Sequence, residues 1–279
     1  MKKVGLIILL VVGIVTAFMI TFMSNEIVIE EDKRDFTGDT DVKTIQEEDI
    51  HKGNLVLINE NYPVEKEGVK NDIQTFHSED FKGVQLLDQE IQLSQSISQK
   101  FMDMVEDAQH DGVDSFTITS GYRGIEAQTL LFKEMGEDYA LPGGYSEHNS
   151  GLAMDVGSTE GLMANASEGK WIEDNAWKHG FILRYPENKT SITGIEYEPW
   201  HIRYVGFPHS ALMYEHDFVL EEYLDYVKDK KELYASFEGK EYFITYYPYG
   251  ENQQIELPVD HEYMITGDNM NGVIVTVTM

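Results

Sequence analysis

The sequence predicts an α+β fold: a small antiparallel sheet with flanking helices, followed by a short all-β C-terminal appendage and preceded by one membrane-spanning helix. Three observations carry this. Leu93, Ile97, Phe101, Met104, Val105 and Ala108 recur at helical spacing. Short runs such as "DSFTITS", "GLAMDVG", "FILRY" and "EPWHIRYVG" read as strands lying between helical segments. From about Lys231 the texture changes to strands and turns alone.

Taken in order, the chain is uncharged from Val4 to Met23, which as a helix is about 30 Å long and matches a bilayer's hydrocarbon core. Lys2 and Lys3 precede that run and an acidic segment follows, so residues 1–23 are expected to anchor the chain in the cell membrane as a single pass, with the rest outside. The rival is a cleaved signal peptide, which has a shorter apolar core and a small-residue cleavage site that "TFMSNE" supplies poorly. Residues 24–52 are acidic with little apolar periodicity and are expected to form a stalk. The main domain is expected over 53–230, opening at "GNLVLINENYPV".

Within that domain the first helix is expected to stop at Gly112, and the strand at Phe116 and Ile118 to end at Ser120-Gly121, with Tyr122 and Arg123 just beyond. A second helix follows through Gln128, Leu131, Phe132 and Met135, and a third from about Lys170 to His179 ends at Gly180. "PENKTSITG" reads as a polar turn between the last two strands. Residues 231–279 are expected to form the small β appendage, with Glu238-Gly239 and Asn271-Gly272 as hairpin signals.

Composition narrows the chemistry. The chain has 279 residues and no cysteine, which excludes disulfides, thiolate nucleophiles and Cys-type zinc sites, so a metal must be held by His, Asp or Glu. A net charge of −29 repels phosphate backbones and argues against nucleic acid as a partner; otherwise it describes a solvated acidic surface.

The stretch "GYSEHNSGLAMDVG" places His148 in a turn and Asp155 on an apolar strand, where a carboxylate needs a partner. The two could share one ion, or a buried His–Asp hydrogen bond. A third ligand is offered by "YEPWHIRYVG", where Glu198 stands three residues before His201 and Pro199 excludes a regular helix. Three protein ligands with one open position suit catalytic zinc, and an unligated Glu198 is then free to act as general base. His51, His77, His110, His179, His209, His216 and His261 have no convergent acid in their segments and read as exposed or satisfied.

These residues resemble the VanY-type zinc D-alanyl-D-alanine carboxypeptidases, a group that also includes lysostaphin and the hedgehog signalling domain. The S-x-H-x-x-G-x-A-x-D pattern is met by Ser146, His148, Gly151, Ala153 and Asp155, E-x-W-H by Glu198, Trp200 and His201, and "SGYR" by Ser120 to Arg123. The resemblance implies Zn2+ on His148, Asp155 and His201, Glu198 as base, and Arg123 as the cation that binds substrate and steadies charge on the scissile carbonyl. A guanidinium past a strand end can also clamp a terminal carboxylate, or simply form a structural ion pair. By the same resemblance Gln128, Tyr145 and Ser146 are substrate contacts and Trp200 walls the cleft. The implied partners are peptidoglycan precursor peptides ending in D-Ala-D-Ala, whose removal lowers vancomycin targets. Rival readings are an endopeptidase on cross-linked wall peptides, a D,D-dipeptidase, and a non-catalytic wall-binding or sensor module.

Overall fold

The computed structural model describes residues 28–30, 39–136, 140–237, 239–250 and 252–279. The expected membrane anchor lies outside these residues, and no helix among the described residues is long and apolar enough to cross a membrane.

The chain forms β1 (Val28–Glu30), β2 (Thr40–Thr44), β3 (Ile73–His77), β4 (Gln85–Leu86) and β5 (Glu90–Ser94), then helix α1 (Gln95–His110). Next come β6 (Phe116–Ser120), α2 (Ile125–Met135), β7 (Ala153–Ser158) and α3 (Ser167–Asn175). These lead to β8 (Phe181–Tyr185), the short α4 (Thr190–Thr193), β9 (Glu198–Tyr204), α5 (His209–Glu215) and α6 (Leu220–Lys230). The remainder is β10 (Glu232–Phe237), β11 (Lys240–Pro248), β12 (Gln254–Pro258), β13 (Tyr263–Gly267) and β14 (Gly272–Thr278).

The site is carried by a five-stranded sheet of order β4-β6-β7-β9-β8. It is antiparallel except that β4 runs parallel to β6, a departure from the purely antiparallel sheet expected. Side chains alternate across a strand. One face therefore presents Phe116, Ile118, Met154, Val156 and Ile202, which are buried under Ile97, Phe101, Met104 and Val105 of α1 and Trp171 and Ile172 of α3. Asp155 and His201, paired across β7 and β9, fall on the opposite face. Ser94 caps α1 by accepting from the Ile97 amide, and Gly112 follows its end at φ 83°. The third helix begins earlier than expected, at Ser167; its last turn, Ala176–His179, is 3-10, and Gly180 closes it at φ 85°. The "PENKTSITG" stretch is a 3-10 turn, Glu187–Lys189, followed by α4.

The segment expected to be a stalk is built into the C-terminal part. β1 pairs with β10, β2 pairs with β12, and Ile50, in a 3-10 turn, is buried. Local periodicity is weak here because these strands are short and complete sheets whose other members lie some 200 residues further on. Nor do residues 231–279 stand apart. Leu233, Ala235, Ile244 and Ile274 share one apolar cluster with Leu55, Leu57, Ile182, Val205, Leu212 and Leu224. Both hairpins form. Gly239 sits at φ 78° between paired Phe237 and Lys240. The other turn spans Asp268 to Asn271, with Asn269 at φ 61°, because the Asp268 Oδ1 accepts from the amides of Met270, Asn271 and Gly272.

Candidate metal and catalytic site

Two irregularities in the sheet build the site. Between β6 and β7 the register shifts so that Ile118 faces Val156 while Ser120 faces Asp155, which inserts an extra residue at the strand end. Between β8 and β9 it shifts so that Leu183 faces Ile202 while Tyr185 faces Glu198. Such bulges re-aim side chains next to active sites. The second one falls between Glu198 and Ile202 on β9, where Glu198 Oε2 lies 3.6 Å from His201 Nδ1.

His148 arrives from a 3-10 turn, Glu147–Asn149, that precedes β7. Its Nδ1 donates to the Gly121 carbonyl at 2.7 Å, so Nε2 is the nitrogen left facing the site, 3.4 Å from Asp155 Oδ2. Gly121 is required there, since a Cβ would collide with the Gln92 carbonyl. His201 Nδ1 lies 3.2 Å from Asp155 Oδ1. One ligand atom from each of His148, Asp155 and His201 lies within 4.8 Å of the others.

This set fits a zinc ion on two observations. Ligand atoms 2.0–2.2 Å from a tetrahedral zinc are about 3.3–3.6 Å apart, close to the two separations just given. Asp155 Oδ1 is also buried and makes no hydrogen bond, although His201 Nδ1 lies 3.2 Å away. A buried carboxylate oxygen in that state calls for a cation.

The electrostatics agree. Burial alone would push the Asp155 carboxyl up, but the imidazoles of His148 and His201 hold it well below the usual carboxylate range. Burial would push His201 down, yet Asp155 and Glu147 raise it to about 9 without a metal. Burial pushes the Glu198 carboxyl above its ordinary value, although His201 opposes this.

Arg123 stands just past β6, its NH1 donating to Gln128 Oε1 at 2.6 Å and its NH2 to Ser120 Oγ at 2.8 Å. Burial lowers its pKa, opposed by the charge of nearby Asp155. Gln128 is buried and donates to the Leu141 carbonyl at 2.7 Å, which ties α2 to the loop leading to Tyr145 and Ser146. Ser146 is buried directly before the turn carrying His148, and Tyr145 is half-buried beside it. Trp200 is 40% exposed and Tyr185 packs its ring 4.9 Å from that of His201. The structure thus gathers His148, Asp155, His201 and Glu198 into one cluster with Arg123 within electrostatic reach of Asp155. Gln128 supports Arg123, and Trp200 stands at the surface.

Residues absent from the expected set also shape the site. Asn149 donates to the Arg123 carbonyl at 2.6 Å and accepts from the Gly144 amide at 2.8 Å, linking the arginine loop to the histidine turn. Glu147, Arg184 and Arg203 are all fully buried, with Glu147 Oε1 accepting from Arg184 Nε at 2.8 Å and Arg203 NH1 at 2.6 Å. A charged residue inside an apolar strand, as in "FILRY" and "HIRYV", was the available signal.

Known proteins place this geometry. Residues 90–207 match the family model described as VanY: D-alanyl-D-alanine carboxypeptidase. A D-alanyl-D-alanine carboxypeptidase of Enterococcus faecium is 57% identical over 240 residues, covering 85% of this chain and 79% of the relative. The chain belongs to the VanY D-alanyl-D-alanine carboxypeptidase family. It is therefore an enzyme, a D-Ala-D-Ala carboxypeptidase of the vancomycin-resistance VanY group. Among solved structures, the vancomycin-resistance D,D-dipeptidase VanXYg, in complex with a D-Ala-D-Ala phosphinate analog, superposes with a TM-score of 0.75 at 30% identity. That match covers 87% of this chain and 100% of the other. A glutamate-to-alanine mutant of the D,D-pentapeptidase VanY from a VanB-type resistance cassette, in complex with Zn(II), gives 0.51 at 30% identity, covering 61% and 98%.

Proposed function

We propose that this chain is a membrane-anchored zinc D,D-carboxypeptidase that removes the terminal D-Ala from peptidoglycan precursor peptides ending in D-Ala-D-Ala, lowering vancomycin targets outside the cell. The observation that carries the reading is the convergence of His148, Asp155 and His201, with Glu198 3.6 Å from His201 Nδ1. His148 Nε2, an Asp155 carboxylate oxygen and His201 Nδ1 would hold the ion. Zinc bound there supplies Lewis acidity, lowering the pKa of water toward 7 and polarising a carbonyl oxygen.

The chain's own groups do the rest. Glu198, pushed up by burial, takes one proton from the attacking water and delivers it to the amine of the departing D-Ala, while the water oxygen joins the carbonyl carbon. Arg123 is held at NH1 and NH2 by Gln128 and Ser120, which leaves its other N–H groups to clamp the substrate's terminal carboxylate. Tyr185 and Trp200 wall the cleft, and Tyr145 and Ser146 line its approach. No side chain need form a covalent bond to the substrate, so penicillin has no acyl acceptor. The Zn(II) and D-Ala-D-Ala analog ligands of the two solved relatives support this reading.

Residues 1–23 anchor the chain with Lys2 and Lys3 inside the cell. Protease added to intact protoplasts should digest the catalytic domain; a protected domain would reverse the topology. Metal analysis tests the zinc set: the wild-type chain should carry one zinc ion, and His148→Ala should lose it. Full zinc in that variant would remove His148 from the ligands. VanXYg is described as a D,D-dipeptidase, so cleavage of free D-Ala-D-Ala is the second reading, separated from the first by comparing the dipeptide with a pentapeptide as substrate.

A further inference from the structure

An imidazole has two nitrogens, and a metal ligand must present the unprotonated one. For His148 the choice is made by the Gly121 carbonyl, which can only accept and so keeps the proton on Nδ1. For His201 the corresponding group is Glu147, whose Oε2 lies 3.3 Å from His201 Nε2.

Glu147 is placed with unusual firmness for a residue of a surface-type turn. Its other oxygen accepts from two guanidiniums, and those are fixed in turn. Arg184 forks onto Glu221 of α6, with NH1–Oε2 2.9 Å and NH2–Oε1 2.7 Å. Arg203 NH2 donates to the carbonyls of Asn54 at 3.1 Å and Val56 at 2.8 Å. Two guanidiniums face two carboxylates, so the buried group is neutral as a whole. A buried ionic network of this kind is weak evidence for stability, because apolar packing of equal volume holds a fold as well. What it provides beyond packing is a carboxylate in one orientation behind one metal ligand.

We propose that Glu147 is a positioning residue: by accepting the Nε2–H of His201 it commits that imidazole to offer Nδ1 to the ion, with Arg184 and Arg203 holding the carboxylate in place. This rests on the zinc reading above. The two histidines are then unequal ligands, one backed by a neutral carbonyl and the other by a carboxylate that raises its basicity. Partners behind metal ligands commonly change metal affinity about 10- to 100-fold when removed.

The test uses the full chain, labelled with 15N-histidine and loaded with cadmium-113 in place of zinc. Scalar coupling should connect the metal to Nδ1 of His201 and Nε2 of His148, with a proton retained on His201 Nε2. Glu147→Gln, checked for folding by circular dichroism, should bind zinc about 10- to 100-fold more weakly in competition with a chelator. Coupling to His201 Nε2, or a folded Glu147→Gln chain with wild-type zinc affinity, overturns the proposal. Should the variant fail to fold, the wild-type coupling pattern decides alone. A wild-type chain that takes up no metal overturns the zinc reading and this inference with it, a result distinct from metal bound through the other nitrogen.

Discussion

His209 gives a quantitative handle on how the C-terminal strands join the catalytic part. It is fully buried on α5, with Nδ1 2.7 Å from the Tyr223 hydroxyl of α6 and Nε2 3.0 Å from Thr276 Oγ1 of β14. Burial pushes its pKa down from 6.5 to about 3. Below pH 6.5 the unfolded chain binds a proton that the folded chain refuses, so this group's contribution is present above pH 6.5 and is lost as pH falls toward 3. At 1.36 kcal/mol per pKa unit the full loss is about 5 kcal/mol, and by pH 4 about 3 kcal/mol. His209→Gln keeps a donor and an acceptor but cannot titrate. At pH 7 it should be about 1–3 kcal/mol less stable than wild type through imperfect hydrogen bonds. Urea unfolding of both purified chains at pH 7, 6, 5 and 4 measures the difference, from which the carboxylates common to both cancel. The gap should narrow by about 1.4 kcal/mol per unit between pH 6 and 4 and reverse by pH 4. Stability curves that stay parallel over that range would refute the claim that this histidine is locked neutral between the helices and the sheet.

Four further outcomes concern the reaction. Glu198→Gln should keep its zinc and its fold but lose about 10²- to 10⁴-fold in turnover, measured by alanine release alongside metal analysis. Because the base must be ionised, the acid limb of the wild-type kcat/KM profile should vanish in that variant. Amidating the substrate's C-terminus should cost about 2–5 kcal/mol in kcat/KM through loss of its pairing with Arg123. Arg123→Gln should hydrolyse acid and amide alike; retained preference for the acid would assign the clamp to another group.

Much of the site is readable in the sequence because it is local. α1 announces itself through Ile97, Phe101, Met104 and Val105, whose spacing matches one buried helical face. Asp155 inside an apolar strand demands a counter-charge, and that demand leads to His148 and His201. The same reasoning applied to Arg184 and Arg203 would have asked for a buried carboxylate, and Glu147 was the candidate sitting next to His148. It reads as an ordinary turn residue because nothing local shows that Arg184 and Arg203, from β8 and β9, converge on it. The strands at Val28–Glu30 and Thr40–Thr44 are hidden for a related reason. Pairing partners such as Tyr234 for Glu30 and Pro258 for Thr40 are set by the three-dimensional closure of the chain, and short strands carry too few alternations to signal themselves. The Asn271-Gly272 pair correctly marks a hairpin, but Asp268 chooses the turn by capping three successive amides.

Mass spectrometry of a wall pentapeptide ending in D-Ala-D-Ala, incubated with the purified chain, tests the central claim most directly. One sample is untreated, one is stripped with a chelator, one is stripped and resupplied with zinc, and one carries excess penicillin. The pentapeptide should lose a single alanine in the untreated, zinc-restored and penicillin-treated samples and stay intact in the stripped one. Single-alanine release that survives complete removal of the metal, or a penicillin adduct on the protein with loss of activity, would contradict a zinc-dependent attack by water.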